Sequence, residues 1–458
     1  MLRALWFLLQ IVLVVLVAVW LIEQPGEITL DAFGYTATIQ TGLFLILFIL
    51  AATILAWLVR VVLAILSFPA WIAGWRSRRR KSRAMRNLTQ GYAALAAGQA
   101  DRALKLARRA KDALPELQAM ALLLEAQASR ALGQEAAASA AYQQLMDNKD
   151  SVFLGLKGLL SQSIAHGQTE QALEYANRAA RMHPKAGWVV RTLYDLQIES
   201  RDFDEATRTL RKAVKLGEID KAQAVSDDIA MLMYRAEKAD EAGRADESFR
   251  LTERAVKLDN TFVPAVTAYA KMLIDKGRNR KAQSLIETAW KANPHPELVT
   301  LWDRLAPANT SRDMVRRMRW YESLVALNTS SAHGQLAAAR AAMEDGLMGE
   351  ARAYLVRAEQ LQPSVDLYRQ FLALERAVNA DESRIRELEE KLFHAPPQPV
   401  WTCTRTGTVY ERWAPVAHPH GSFNTIIWSL PRLSRQTAGP SLTAARDTLD
   451  DPLMLGSF

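Results

Sequence analysis

The chain has 458 residues, a formal charge of +8, 50% hydrophobic and 23% charged residues, and one cysteine. A single cysteine excludes an intramolecular disulfide framework and any multi-cysteine zinc or iron–sulfur site. The length suits several domains or one long repeat array, and the basic balance suggests nucleic acid only if the charge is spread over a folded surface.

Residues 4–22 are apolar apart from Gln10. Nineteen helical residues rise about 28 Å, close to the hydrocarbon thickness of a bilayer, so the run reads as a first membrane span. It is longer than a signal-peptide core, and no small-x-small cleavage site follows, so it reads as retained. A second apolar run over residues 42–66 reads as the return span, extended to Pro69, with Arg60 placed to snorkel. Trp57, Trp71 and Trp75 lie towards its inner end, where indoles favour the headgroup zone. Residues 1–75 thus form an expected transmembrane hairpin, whose loop 23–40 carries Glu23, Glu27 and Asp31 and no lysine or arginine.

A basic collar follows at residues 76–86: Arg76, Arg78, Arg79, Arg80, Lys81, Arg83 and Arg86. Positive charge stays on the cytoplasmic side, so both ends of the hairpin are expected inside and the acidic loop outside. The collar holds +7 of the total, residues 1–75 hold −1, and the remaining 372 residues hold only +2. The collar also suits anionic lipid headgroups, and no nucleic-acid partner is expected.

Residues 87–394 repeat with a period near 34. Small or turn-forming residues recur at 98, 133, 167, 201, 243, 277 and 346, with spacings of 35, 34, 34, 42, 34 and 69. The first unit shows the full pattern: Gly91, Gly98, Ala103, Ala107, Ala110 and Pro115. Close antiparallel helices need small residues at the contact, a turn residue that tolerates positive φ, and a stop after the second helix. These marks are those of tetratricopeptide (TPR) units, which stack because each leaves an apolar face for its neighbour. The expected fold class is therefore all-α, with about eight repeats. The spacing of 42 predicts an insertion near 217–226, and the 69 hides a degenerate unit turning near Ser311 between Trp302 and Trp320. Helical segments at 365–377 and 382–393 are expected to cap the array.

The first helix of each pair lines the groove of such a superhelix. Its exposed positions are Lys157 and Ser161 in repeat three, and Trp188, Arg191 and Asp195 in repeat four. Met233, Glu237 and Asp240 follow in repeat five, Thr267 and Lys271 in repeat six, and His333 and Arg340 in the last full repeat. The stripe of Lys157, Arg191, Lys271 and Arg340 suits a peptide carboxylate or an acidic partner surface.

Residues 395–431 read as a small extended or β-rich element packing its tryptophans on the last repeat, and 432–458 as a mobile tail. The element resembles a rubredoxin-like knuckle in which Thr406 replaces the second cysteine. Cys403, His418 and His420 are its vestigial metal candidates, one fewer than structural zinc requires. The hairpin, collar, array and a W-x-C-x-x-T-G, W-x-P, G-x-F-N-T-I-x-W terminus (Trp401 to Trp428) together resemble the HemY family. These are inner-membrane TPR proteins of proteobacteria associated with late tetrapyrrole (haem) biosynthesis. The resemblance implies an inner-membrane location and a link to protohaem metabolism. It does not imply the unrelated FAD-dependent oxidase of the same name, whose G-x-G-x-x-G turn is missing here.

No P-loop, H-E-x-x-H or G-x-S-x-G motif occurs, and no enzyme is expected. The acid pairs 227–228 and 450–451 read as exposed. His183 and His295 read as solvated corner residues; with His333 they are the groups a haem iron would use. The expected function is a tethered scaffold that gathers cytoplasmic partners, haem-biosynthesis enzymes among them, without catalysis or a cofactor. A porphyrin or haem carrier and an envelope-assembly adaptor stand as alternatives.

Overall fold

The computed structural model describes residues 12, 15–16, 19–20, 26–32, 35–112, 115–310, 312–379 and 381–431. The expected tail at 432–458 and all but five positions of the expected first span lie outside these residues. The described chain divides into two compact units, Met1–Ala141 and Tyr142–Phe458.

In the first unit the loop expected between the spans is a hairpin. Strands β1 (Glu27–Ala32) and β2 (Tyr35–Gln40) pair antiparallel, with Ala32 opposite Tyr35. Alternation at Ile28, Leu30 and Ala32 against polar Thr29 and Asp31 gives the strand period. The next element, α1, runs unbroken from Thr41–Ala96 for 56 residues, a length of about 84 Å. Pro69 was expected to end the apolar stretch, yet the helix passes through it. One missing N–H removes a single ladder bond, and the turns on either side carry the helix across it.

Within α1, Gly42–Val62 is the one described helix segment long and apolar enough to cross a membrane, with a mean hydropathy of 2.8. Leu47, Phe48, Leu55 and Trp57 on it are each more than 60% exposed, a surface that water tolerates poorly and lipid does not. The distal turns of α1 pack on α2 (Ala100–Lys111) and α3 (Gln118–Ala131). Their core is Ala84, Leu88, Ala103, Ala107, Leu124 and Ala128. One continuous rod therefore carries the apolar segment, the collar and the first repeat helix. Helix α4 (Glu135–Met146) runs across the boundary between the units.

The second unit continues in helix pairs. They are α5 (Val152–Ala165) with α6 (Thr169–Met182), α7 (Gly187–Glu199) with α8 (Phe203–Leu216), and α9 (Lys221–Glu241) with α10 (Ala245–Leu258). Then come α11 (Val263–Asp275) with α12 (Asn279–Ala292), α13 (Pro296–Leu305) with α14 (Met314–Leu327), α15 (Ala332–Glu344) with α16 (Met348–Leu361), and α17 (Val365–Ala377) with α18 (Glu382–Phe393). All the predicted turn glycines have positive φ, between 68° and 76°, and Arg201 adopts the same conformation at φ 62°. The insertion after Gly217 lengthens α9 to 21 residues, started by the Asp220 carboxylate accepting from the Ala222 and Gln223 amides. The degenerate pair is closed by stacked Trp302 and Trp320, 4.2 Å apart, and by Trp290, whose Nε1 donates to the Leu324 carbonyl.

After α18 the chain forms a small lobe. Strand β3 (Val400–Cys403) lies between β4 (Val409–Tyr410) and β7 (Ile426–Ser429), and β5 (Val416–Ala417) pairs with β6 (Ser422–Phe423). The lobe was expected to pack on the last repeat, and it does not. It returns to repeats four to seven, where Phe203, Asp227, Phe262, His295 and Glu297 receive it. Those repeats present aromatic rings and buried polar groups for which the lobe carries the complements.

Candidate groove and its C-terminal lobe

The lobe is held by polar anchors set inside apolar contacts. Trp401, 4% exposed, donates its Nε1–H to Glu297 Oε1 at 2.6 Å. Its ring and that of Trp428 flank His295, with centroids 5.4 and 4.2 Å away. Trp413 meets Phe262 edge-on at 5.2 Å, and Phe423 lies 5.2 Å from Phe203. Asn424, with φ 51°, directs its amide to Asp227 Oδ1 at 2.7 Å and to Ser226.

Two residues expected to be solvated are thereby buried. Asp227 is 5% exposed and accepts from Tyr194, Gln223 and Asn424. Burial raises its pKa, while those three hydrogen bonds work in the opposite sense. His295 is 2% exposed; its Nδ1 accepts the Glu297 amide at the start of α13, and its Nε2 is buried with no partner. The sequence placed both residues in polar or corner stretches, and only the returning lobe removes the water. Nε2 is enclosed, so His295 cannot serve an iron while the lobe is seated. His183 remains exposed, edge-on to Phe153 at 4.3 Å, and His333 is half-buried.

Burial lowers the His295 pKa to about 4. The unfolded side chain titrates near 6.5, so its contribution to stability is complete above that value and is lost as the pH falls from about 6.5 to 4. Glu297, raised by its own burial, acts in the opposite direction. NMR titration of the imidazole should accordingly show a midpoint near 4 in the full chain, and a midpoint above 6 would mean that the lobe does not cover this ring.

The predicted groove residues lie on the first helices, and two of their four cations are already in ion pairs. Arg191 binds Asp195 at 3.1 Å and donates to the Glu218 carbonyl at 3.3 Å. Arg340 pairs with Asp303, whose other oxygen accepts from Tyr321. Lys157 Nζ lies 5.4 Å from the centre of the half-buried Trp188 ring, and Ser161 is buried. Lys271 is exposed on α11 beside a cleft of about 660 Å³. Met233, Glu237 and Asp240 from α9, Thr267 from α11, Glu297 and Leu301 from α13, and Arg412 to Pro415 of the lobe line the same cleft. The periodicity assigned these residues to the first helices of their pairs, where they lie. It missed Trp413, Asn424, His295 and Glu297 as partners of those helices, although the aromatic spacing of the terminus marked the first two as structured.

In the first unit Arg78, Arg79, Arg80, Lys81, Arg83 and Arg86 are exposed along α1, and Lys81 binds Glu116 at 2.8 Å. The side chain of Arg76 lies outside the described residues. In the lobe, buried Cys403 has its Sγ 3.3 Å from Thr425 Oγ1. Burial acts to raise its pKa, but hydrogen bonds from Thr406, Thr425 and the amides of 405 and 406 outweigh it and leave the thiol lowered. Thr406 bonds Thr408 at 2.8 Å where the knuckle pattern would have a second thiolate. Among the described residues no three histidine, cysteine or acidic side chains are grouped to hold a metal, and exposed His418 and His420 do not join Cys403.

Residues 26–133 match the family described as HemY protein N-terminus. A curated relative, the probable magnetosome protein Mms48 of Magnetospirillum gryphiswaldense, is 26% identical over 209 residues, which is 45% of this chain and 46% of the relative. The chain thus matches less than half the length of that relative. Among solved structures, a tetratricopeptide repeat protein from Parabacteroides merdae covers 68% of this chain and 99% of its own, at 15% identity and a TM-score of 0.29. A thermophilic TPR protein of Thermus thermophilus covers 42% and 99%, at 22% identity and a TM-score of 0.25.

Proposed function

We propose, for a chain whose residues 26–133 are of the HemY N-terminal family, that this membrane-associated TPR protein is a scaffold that gathers cytoplasmic enzymes of late haem biosynthesis beside the inner membrane. On this reading residues 4–22 and 42–66 form a two-span hairpin, the collar keeps both ends in the cytoplasm, and the repeats bind partners without catalysis. The observation that carries it is α1: one rod joins an exposed apolar segment, a run of exposed arginines and the first repeat helix. A partner held by the repeats would be kept near the bilayer, where its local concentration and orientation rise without covalent chemistry. The collar adds attraction to anionic lipid of about 1 kcal/mol per basic residue near the surface.

The test is a photoreactive side chain at Thr267 in intact membranes, with an outward position on α8, Arg211, as the control. Enzymes acting on tetrapyrroles should be captured from Thr267 and not from Arg211. Equal capture from both positions would remove the groove as the recruiting surface. The carrier alternative has its own readout, since a haem-loaded protein would absorb in the Soret region.

A further inference from the structure

We propose that the lobe is the intramolecular occupant of a partner site: repeats four to seven bind a segment bearing tryptophan and amide side chains, and the lobe covers that surface until such a segment displaces it. The inference rests on the groove reading above and gives both the chemistry of its ligand and the contact that controls access.

The way the lobe is attached carries the argument. Among the described residues, the hydrogen bonds that cross from lobe to helices are Trp401 to Glu297 and Asn424 to Ser226 and Asp227, all between side chains. The backbone bonds of the lobe close within it, from Cys403 to Thr408, Thr404 to Thr425 and Asn424 to Pro415. Around the polar anchors sit aromatic rings, Trp428 on His295, Trp413 on Phe262 and Phe423 on Phe203. Aromatic anchors in matched pockets with a few directed hydrogen bonds are the make-up of a recognition surface. The tether permits exchange. Residues 394–399 include Pro396, Pro397 and Pro399 and form no helix or strand, and six extended residues reach about 19 Å, so the lobe can lift without disturbing α18.

Seating the lobe also has an electrostatic cost. Asp227 and Glu297 are in no ion pair among the described residues, and burial raises the pKa of each. His295 Nε2 is enclosed with no partner. Lifting the lobe returns all three groups to water and relieves that cost. What favours the closed form is the short tether, which gives the lobe an effective concentration of the order of mM at its own site. A free segment of the same chemistry lacks that advantage, and its apparent Kd rises by the inverse of the open fraction.

The experiment uses the full chain in nanodiscs of neutral lipid, with empty nanodiscs subtracted, and two labelled eight-residue peptides in which asparagine alternates with tryptophan or with leucine. Fluorescence anisotropy should show the tryptophan peptide binding the Trp401→Ala chain at least about tenfold more tightly than the wild type, equivalent to an open fraction of about a tenth or less in the wild type. The leucine peptide should gain little, and Glu297→Ala added to Trp401→Ala should remove most of the tryptophan gain. Equal affinity for the two chains, tighter binding to the wild type, or an equal gain for the leucine peptide overturns the proposal. Hydrogen exchange of the wild type needs no variant: residues 400–429 should exchange at least about tenfold faster than α11 and α15, because the lobe opens without the helices. Equal protection overturns the proposal. If the peptide gain and the faster exchange are both seen while Thr267 captures nothing in membranes, the proposal stands and the scaffold reading fails. Capture from Thr267 without any peptide gain is the reverse.

Discussion

Replacing Trp401 with alanine is expected to detach the C-terminal lobe from the helices while the helices stay folded. The indole is almost fully buried, and truncating such a side chain costs about 3–5 kcal/mol. The substitution also strips Glu297 of its donor and leaves a half-enclosed carboxylate unsatisfied. The other contacts that hold the lobe are the Phe423, Trp413 and Trp428 rings, buried Val416 and the Asn424 amide. Hydrogen exchange should therefore rise across residues 400–429 and stay low in α11 and α15. Trp401→Phe keeps most of the packing and loses only the donor, so its effect should be nearer about 1–2 kcal/mol. Unchanged protection in the alanine variant would mean that the lobe is held by other contacts.

The second large effect is expected at the crossing of α4 and α5. A Cβ on Gly155 would lie 2.5 Å from the Tyr142 carbonyl oxygen, and one on Gly158 would lie 2.1 Å from the Tyr142 ring. Gly155→Ala meets backbone, which cannot rotate away, so the two helices must separate. Overpacking of this kind costs about 1–3 kcal/mol, against less than about 1 kcal/mol gained in helix propensity. Gly158→Ala meets a side chain, so a companion Tyr142→Ala substitution should rescue it and should not rescue Gly155→Ala. Thermal melts of the four variants measure this. Rescue of both glycine positions would show that the backbones are not in close contact there.

These two predictions draw on different parts of what the sequence contains. The glycines belong to the repeat, and the repeat is legible because its rules are local. A turn residue needs positive φ, and a crossing needs the absence of a side chain. Even the departure from glycine at Arg201 kept the left-handed turn, at φ 62°. Its guanidinium reaches within 4.0 Å of the position a Cβ on Gly421 would take, a contact with the lobe that no glycine could make. The residues of the groove stripe lie on the first helices of their pairs for the same local reason.

Trp401 belongs to the part that was not legible. Its partner Glu297 is 104 residues away, and Asn424 reaches Asp227 across 197. No periodicity couples such positions, so Asp227 and His295 looked solvated until the lobe covered them. Of the stripe's cations, Arg340 is matched only once the helices are in place, by Asp303 37 residues away, whereas the Arg191–Asp195 pair is one helical turn apart and local.

The sequence by itself determined the apolar run, the basic collar, and the helical repeats with their turns. Each follows from composition or from residues within one repeat of each other. Only the tertiary structure decided that α1 is a single rod through Pro69, that the lobe returns to the middle of the array, and that an open cleft lies beside it. Those features depend on which distant surfaces bury one another, and burial rather than residue type sets which charges remain available.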